Sequence, residues 1–400
     1  MSDPRLLLSL PQLPQDPASG AARSMSTICE MLAQAGFAVR AVGTTATERA
    51  GKEAPISYLR KLGISVQVEH GRIKPRIRPE LTFSHRGVAH RLLDVGNRSH
   101  VQWESVHGRQ FDLLFDDELH SFRPDILFTF GGSPGDRRRI ERARRQGARI
   151  VFALRNENYP DRAFFDPMDG VLTPSRFLTD FYRERIGLVS TPLPLPFELE
   201  DVLAGEHDPI FFTMVNPSPE KGLMVLATLA EVLSVRRPDI PLLVIETRGS
   251  GGQLIQAGLA GGFDLRRHAN IMVSGSVPRP RDIYVPTRVL LAPSLCREAA
   301  GRVVAEALLN GIPPIVSDRG GLAETANGAG FVLPIPVEVT PAAKQPVDAA
   351  VVEPWVALIA KLADDQASYE RESERARQAG RIYLPSELAP RYVDYFRGFL

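Results

Sequence analysis

Cysteine is scarce in this 400-residue sequence, and its two copies, Cys29 and Cys296, lie far apart. They match neither a Cys-x-x-Cys pair nor the spacing of a zinc site, so they indicate reduced thiols in a cytoplasmic protein. The eight histidines include no His-Glu-x-x-His and no His-x-His pair. We therefore expect no metal site and no bound cofactor.

Long apolar runs and excess charge are missing as well. The apolar stretch near the start is cut short by Pro11, and no run approaches the roughly eighteen apolar residues of a membrane-spanning helix. The formal net charge is only +1, so bulk charge does not predict nucleic-acid binding. The sequence predicts a cytoplasmic protein that at most contacts a membrane from outside.

Short apolar runs alternate with amphipathic stretches, which predicts βα units and parallel sheets. Strands are predicted at 5–10, 37–42, 126–130, 149–154 and 170–173, and then at 210–215, 242–245, 271–273, 289–292, 314–316 and 330–333. Between about 65 and 106, alternating polar and apolar residues with turns at Gly71 and Gly87 predict hairpins.

Three prolines in alternate positions within 191–197 predict a stiff, extended linker. We therefore predict an α/β fold of two doubly wound, Rossmann-like domains that face a central cleft. The expected domains are 1–195 and 196–380, followed by a terminal helix at 381–400 that returns to the first domain.

Several motifs in the first half favour structural interpretations. Gly131–Gly135 matches the Gly-x-Ser-x-Gly turn of hydrolases, but Pro134 lacks the N–H that an oxyanion site needs there, which predicts a strand-to-helix turn. Six arginines crowd Arg137–Arg145, which indicates an exposed basic helix or a surface for anionic lipid. Asp116-Asp117-Glu118 is interpreted as the solvated face of a helix.

The most informative segment runs from Leu291 to Gly330. A strand leads into a loop that holds Glu298, and Gly301 then opens a helix that contains Glu306, at Glu-x7-Glu spacing. Without a Cβ at Gly301 a ligand can approach the backbone, and the positive helix end favours a phosphate. Glu306 suits a vicinal diol such as that of ribose. The alternative is that Glu298 caps the helix and Glu306 pairs with an arginine.

This segment resembles the signature of retaining glycosyltransferases of family 4, which share the two-domain GT-B fold. In register with that signature are Pro293, Ser294, Glu298, Gly301, Glu306, Ala307, Gly311, Pro313, Asp318, Gly320, Gly321 and Glu324, whereas Ala299 and Ala300 replace its usual Gly-Phe. A second match, Pro217–Gly222, resembles the family's Gly-Arg-x-x-x-Glu-Lys-Gly. Lys221, one of only six lysines, is present, while Asn216 stands where the family has arginine.

The resemblance implies a glycosyltransferase that moves a sugar from a nucleoside-diphosphate sugar to an acceptor, with retention of configuration and without a metal. It implies that Lys221, Asn216, Gly301 and Arg302 hold the diphosphate, that Glu298 grips the sugar, and that Glu306 binds the ribose. Backbone around Val277 is expected to contact the base.

The resemblance also implies that 1–195 is the acceptor-binding domain and that 196–380 is the donor-binding domain. In the first domain, Gly20 and Ala21 resemble the glycine loop that faces phosphate and acceptor. The family's usual histidine near the reacting sugar is missing at Arg155-Asn156. The alternatives that stay open are a nucleotide-sugar epimerase or hydrolase on the same scaffold and a catalytically silent nucleotide-sugar-binding subunit. The nucleotide base, the sugar and the acceptor are not predicted.

Overall fold

The chain folds into two compact units. The computed structural model describes residues 3–16, 19–48, 53–69, 78–99, 103–277 and 279–400. The first unit comprises 1–174, 179–196 and 385–400, and the second comprises 175–178 and 197–384. Each is built around its own sheet, and both sheets are predominantly or wholly parallel.

In the first unit, the described strands form a sheet in the order β3-β4-β5-β2-β1-β6-β7-β8-β9. The pairs β3–β4 and β4–β5 are antiparallel and the other pairs are parallel. Gly87 lies in the turn between β4 and β5, as predicted, whereas Gly71 lies outside the described residues. The strands are β1 Arg5–Ser9, β2 Ala38–Thr44, β3 Gln67–Glu69, β4 Glu80–His85, β5 Val88–Leu93, β6 Ile126–Thr129, β7 Arg149–Ala153, β8 Gly170–Thr173 and β9 Thr191–Pro192. The helices that precede the linker are α1 Gly20–Gln34, α2 Pro55–Lys61, α3 Trp103–Phe122, α4 Pro134–Arg145 and α5 Arg176–Ile186.

The second unit has a parallel sheet in the order β12-β11-β10-β13-β14-β15. Its central strands are nearly continuous apolar runs because helices cover both faces. The strands are β10 Phe211–Val215, β11 Leu242–Ile245, β12 Ile271–Ser274, β13 Thr287–Ala292, β14 Pro314–Ser317 and β15 Phe331–Leu333. The helices are α6 Leu199–Val202, α7 Leu223–Arg236, α8 Gly251–Ala260, α9 Arg281–Tyr284, α10 Arg302–Leu309, α11 Leu322–Ala326, α12 Ala349–Asp364 and α13 Gln366–Gly380.

The last helix, α14 (Pro385–Arg397), belongs to the first unit. Its Leu388, Tyr392 and Phe396 are fully buried in the core that includes α1 and the middle of the sheet. The Tyr392 hydroxyl donates to the carbonyl oxygen of Pro194 at 2.8 Å. Burial of apolar surface contributes about 25 cal/mol per Å² of free energy, so these side chains stabilise the packing of α14 on the first unit.

The turn at Gly131–Gly135 is a helix cap. Ser133 Oγ accepts from the backbone N–H of Asp136 at 3.1 Å and donates to Glu104 at 3.0 Å, while the Asp136 carboxylate accepts from the Ser133 N–H at 3.0 Å. This capping box starts α4 at Pro134. The strand-to-helix interpretation is therefore confirmed, since the serine oxygen is committed to the cap.

The arginines of α4 face acids of α3. Arg139, buried, contacts Asp112 at 2.8 Å, and Arg142 contacts Asp116 at 2.8 Å. The sequence interpretation of Asp116-Asp117-Glu118 as a solvated face is wrong for Glu118, which is buried and pairs with Arg91 at 3.0 Å. The acids of α3 thus offset part of the positive charge of the α4 arginines. Lipid binding by Arg137–Arg145 stays a prediction.

Candidate functional site

A polar cluster lies where β10 and β13 end side by side in the second unit. Lys221 Nζ donates to Glu298 Oε1, and Ser294 Oγ donates to the same oxygen at 2.8 Å. The Lys221 side chain is 31% exposed and that of Glu298 is 14% exposed. A cation and an anion thus meet at the carboxyl edge of a parallel sheet, the edge at which open α/β sheets bind ligands. Ser294 belongs to the matched motif, but its role was not anticipated from the sequence.

Backbone contacts hold the two loops of this cluster together. The carbonyl oxygen of Glu220 accepts from the N–H of Leu295 at 2.9 Å and from that of Cys296 at 3.0 Å. Gly222 has a φ of 94°, and a Cβ there would collide with the carbonyl oxygen of Pro293. The Glu-Lys-Gly sequence therefore has a local structural reason for its glycine, which lets the Lys221 loop pack directly on the Glu298 loop.

Gly320 and Gly321, which belong to the same matched segment, contact the backbone of Glu298. The N–H of Gly321 donates to the Glu298 carbonyl at 2.7 Å, and Gly320 pairs with Glu298 in an isolated parallel bridge. A Cβ at Gly320 would collide with the backbone of Glu298. Glu324, the last of the matched residues, accepts from the N–H groups of Arg176 and Phe177, which belong to the same unit, both at 2.8 Å.

Asn216 does not simply replace a cation. It has a left-handed backbone with φ of 66°, and its Oδ1 accepts from the N–H of Gly249 at 2.8 Å. Its carbonyl oxygen accepts from the N–H of Ser218 at 2.7 Å, which starts the turn toward Lys221. Asparagine tolerates this conformation better than most residues. The residue therefore shapes the turn and joins two loops, a role that the sequence pattern did not indicate.

The predicted helix start at Gly301 is present. Gly301 has a φ of 83° and immediately precedes α10, and a Cβ there would collide with Leu322. Glu306 is 4% exposed, with one oxygen accepting from Arg302 Nε at 2.8 Å and the other from the Tyr284 hydroxyl at 2.7 Å. The arginine pairing that the sequence left open is thus observed, and a bound ribose has to share or displace these donors.

Three predicted positions remain: Val277 in the second unit, and Gly20 and Ala21 in the first. Val277 follows β12 and is partly buried against the core beneath α10. Gly20 and Ala21 are in the first unit, where they form the first turn of α1 behind the Ser19 cap. Ser19 Oγ accepts from the N–H of Ala22 at 3.3 Å. The predicted phosphate loop is therefore a helix N-terminus, where free N–H groups favour an anion.

Cys296 adjoins the cluster and stays protonated at neutral pH. Burial, reinforced by the negative charge of Glu298, raises the pKa of its thiol to about 11. A thiol with so high a pKa is a poor nucleophile and a poor metal ligand. Within the described ranges, no group of three or more histidine, cysteine, aspartate or glutamate side chains is placed to hold a metal ion. No helix among these residues combines the length and apolar character of a membrane span.

Comparison with known proteins agrees with this description. Residues 197–379, just under half of the chain, match the family described as glycosyl transferases group 1. No curated protein matches the sequence. Among solved structures, a glycosyltransferase from Rickettsia africae is similar at a TM-score of 0.68 and 14% identity, covering 99% of this chain and 98% of that one.

Two further solved structures are similar over nearly the whole chain. The sucrose-phosphate synthase of Thermosynechococcus elongatus has a TM-score of 0.67 and 16% identity, with coverage of 99% and 98%. HepE of Anabaena, solved in complex with UDP-glucose, has a TM-score of 0.65 and 12% identity, with coverage of 98% and 99%. The predicted α/β fold with two Rossmann-like units is confirmed: it is the GT-B fold of glycosyltransferases.

Proposed function

We propose that this protein is a glycosyltransferase that moves a sugar from a nucleoside-diphosphate sugar to an acceptor, with retention of anomeric configuration. The observation that supports this most is the contact of Lys221 with Glu298 at the end of β10 and β13, inside the segment that matches the group 1 family. A cation and a carboxylate at one sheet edge suit a substrate that carries a diphosphate beside sugar hydroxyls.

The proposed chemistry is electrostatic. As the bond between sugar and diphosphate breaks, negative charge grows on the departing diphosphate. We assign the stabilisation of that charge to Lys221 and to the N-terminus of α10 at Gly301-Arg302. In the same scheme Glu298 accepts hydrogen bonds from sugar hydroxyls, after exchanging its contact with Lys221 for the donor.

For the stereochemistry, we propose return of the acceptor on the face that the diphosphate leaves. We assign no second carboxylate as a covalent nucleophile, because Glu306 is assigned to the ribose and Glu324 accepts from two backbone N–H groups. A diphosphate oxygen then serves as the base that takes the acceptor proton, and no divalent metal is required. The Lys221 ammonium remains the main cation on the leaving group, because Asn216 brings no charge.

A second candidate, a nucleotide-sugar-binding subunit without activity, is favoured by the contacts of two residues. Asn216 occupies the arginine position of the family pattern and is committed to Gly249, and both oxygens of Glu306 already have donors. Such a protein binds the donor but leaves it intact. The distinction between the two candidates is therefore turnover, not binding.

The test is release of nucleoside diphosphate from UDP-, GDP- and ADP-sugars, with and without a panel of sugar, lipid and small-molecule acceptors. Acceptor-dependent release that is lost in Glu298→Gln supports the enzyme. Binding of a donor without release on any acceptor supports the silent subunit. If no donor either binds or turns over, the proposed function is wrong.

A further inference from the structure

The first unit contains a buried cation that has no protein partner among the described residues. Arg155 follows β7, and its Nε, Nη1 and Nη2 are all shielded from solvent without a hydrogen bond to any residue that the structure describes. Burial lowers the pKa of this guanidinium, and the nearby Tyr392 hydroxyl opposes that effect only in part. Burying an unpaired charge costs several kcal/mol, so some interaction should compensate it.

The strand that leads to Arg155 indicates which side of the sheet this cation occupies. Val151 and Ala153 of β7 are in the core that α1 and α14 cover, and side chains alternate along a strand. Arg155 continues that alternation on the same face, which agrees with its proximity to Tyr392 of α14. The start of α1 at Gly20 lies at the same carboxyl edge, since α1 follows β1, which is parallel to β6 and β7 through the sheet.

The loop that carries Arg155 also lines a cavity of about 430 Å³. Asn156 and Asn158 contribute amides to this cavity, and Tyr159 and Phe164 contribute aromatic rings, with their centroids 4.9 Å apart. Amides bind hydroxyl groups, and aromatic rings pack on the apolar faces of sugars. This cavity suits hydroxyl groups, and it lies beside Phe152, whose ring contacts Tyr159, whereas Arg155 itself does not line it.

We propose that Arg155 binds an anionic group, a phosphate or a carboxylate, of the acceptor, which is accordingly negatively charged. This rests on the proposed function, in which the acceptor belongs to the first unit. A planar guanidinium with several fixed donors matches the oxygens of either group and forms two charge-assisted hydrogen bonds at once. The donor diphosphate has its own cation, Lys221, in the second unit.

The experiment measures the thermal unfolding midpoint of the full chain during titration with glucose 6-phosphate, glucuronate and neutral glucose. Arg155→Met removes the charge and keeps an unbranched apolar side chain, and Arg155→Lys keeps the charge without the planar fork. Arg149→Met is the matched control, because Arg149 is the first residue of β7, the strand that Arg155 follows, but is exposed and pairs with Asp169 at 3.0 Å.

We expect at least one of the two anions, but not glucose, to raise the midpoint of the parent and of Arg149→Met. Arg155→Met should need at least tenfold more of that anion for the same shift, with Arg155→Lys in between. Without ligand, Arg155→Met should unfold at the same or a higher temperature than the parent, because it no longer buries an unpaired charge.

An anion response that survives in Arg155→Met, or no response to either anion in the parent, would overturn the proposal. So would a lowered midpoint of Arg155→Met without ligand, because that is the result of deleting a structural contact. Vesicles with and without phosphatidic acid distinguish a lipid-borne phosphate from a soluble one.

A parallel titration with nucleoside diphosphates separates this inference from the proposed function. Their effect should persist in Arg155→Met and weaken in Lys221→Ala. Loss of the nucleotide effect alone in Arg155→Met assigns Arg155 to the donor and overturns the acceptor role. No nucleotide effect in any variant, with an Arg155-dependent anion effect, rejects the proposed function and leaves the anion site standing.

Discussion

Replacing Lys221 by alanine tests the proposed role of the only cation that contacts Glu298 among the described residues. In the proposed reaction this ammonium stabilises charge that grows on the diphosphate, so its loss should lower turnover more than it raises the donor Michaelis constant. By comparison with removal of one oxyanion donor, we expect a loss of about 100- to 1,000-fold, or about 2.7–4 kcal/mol.

The structure gives a second magnitude against which this loss is compared. The Lys221 side chain is 31% exposed, so solvent screens its pair with Glu298, and the pair should contribute about 1 kcal/mol or less to folding. A purely structural lysine would then affect stability slightly and turnover hardly at all. A kinetic loss several times larger than the loss of stability therefore indicates contact with the reacting substrate.

The assay is nucleoside diphosphate release from the donor that binds, measured for Lys221→Ala, Glu298→Gln and the double variant. Because both residues act on one bound donor, their effects should be non-additive by about 0.5–3 kcal/mol. Lys361→Ala is the control, since this lysine is exposed in the last turn of α12. If turnover of Lys221→Ala is within about twofold of the parent, Lys221 does not stabilise the departing diphosphate, and the Glu-Lys-Gly loop is only a turn.

Three other substitutions test particular contacts. Glu306→Gln should lower the free energy of unfolding by about 1–3 kcal/mol, because the amide cannot retain the charge-assisted bond from Arg302. It should also weaken nucleoside diphosphate binding. Unchanged affinity with the fold intact would make Glu306 a structural residue. Asn216→Arg should lower the free energy of unfolding, measured by urea denaturation, by about 1–2 kcal/mol. Arginine tolerates the left-handed backbone less well, and the hydrogen bond to Gly249 is lost. Equal stability of the two proteins would contradict this prediction. Burial lowers the pKa of His90 to about 3, so stability should fall by about 1.4 kcal/mol per unit as pH drops from about 6.5 toward 3. That acid dependence should be reduced in His90→Phe, and the same pH profile in both proteins would disprove the assignment.

Most of the fold could be predicted from the sequence because its signals are local. The strands predicted at 170–173 and 242–245 match β8 and β11, and the others agree within two residues at each end. Apolar runs between glycine and proline turns give such strands away whatever surrounds them. Strands β3 to β5 were less distinct, since an antiparallel edge has only one buried face and weak register signals.

The candidate site was predictable as a set of residues but not as a set of contacts. Glu298, Lys221 and Gly301 lie in motifs whose letters are visible in the chain. The donors to Glu306 come from Arg302 on the same helix and from Tyr284, twenty-two residues earlier, and no sequence pattern links Tyr284 to the motif. The left-handed turn at Asn216 is equally invisible, because it depends on a loop from a neighbouring strand.

Charge was the least reliable guide. The arginines of α4 indicated a strongly positive face because the sequence shows only their neighbours along the chain. Folding brings α3 alongside, and Asp112 and Asp116 then pair with Arg139 and Arg142. The reverse holds for Arg155, an ordinary arginine in the sequence that emerges in the fold as a buried cation without a partner among the described residues.

The most direct test of the central claim is titration calorimetry of the full chain with UDP-, GDP- and ADP-sugars in excess chelator. We expect that at least one of these nucleotide sugars binds, that chelator does not prevent binding, and that Lys221→Ala binds it more weakly than the parent. No heat of binding with any of the sugars, or binding that appears only when magnesium or manganese is restored, would contradict it.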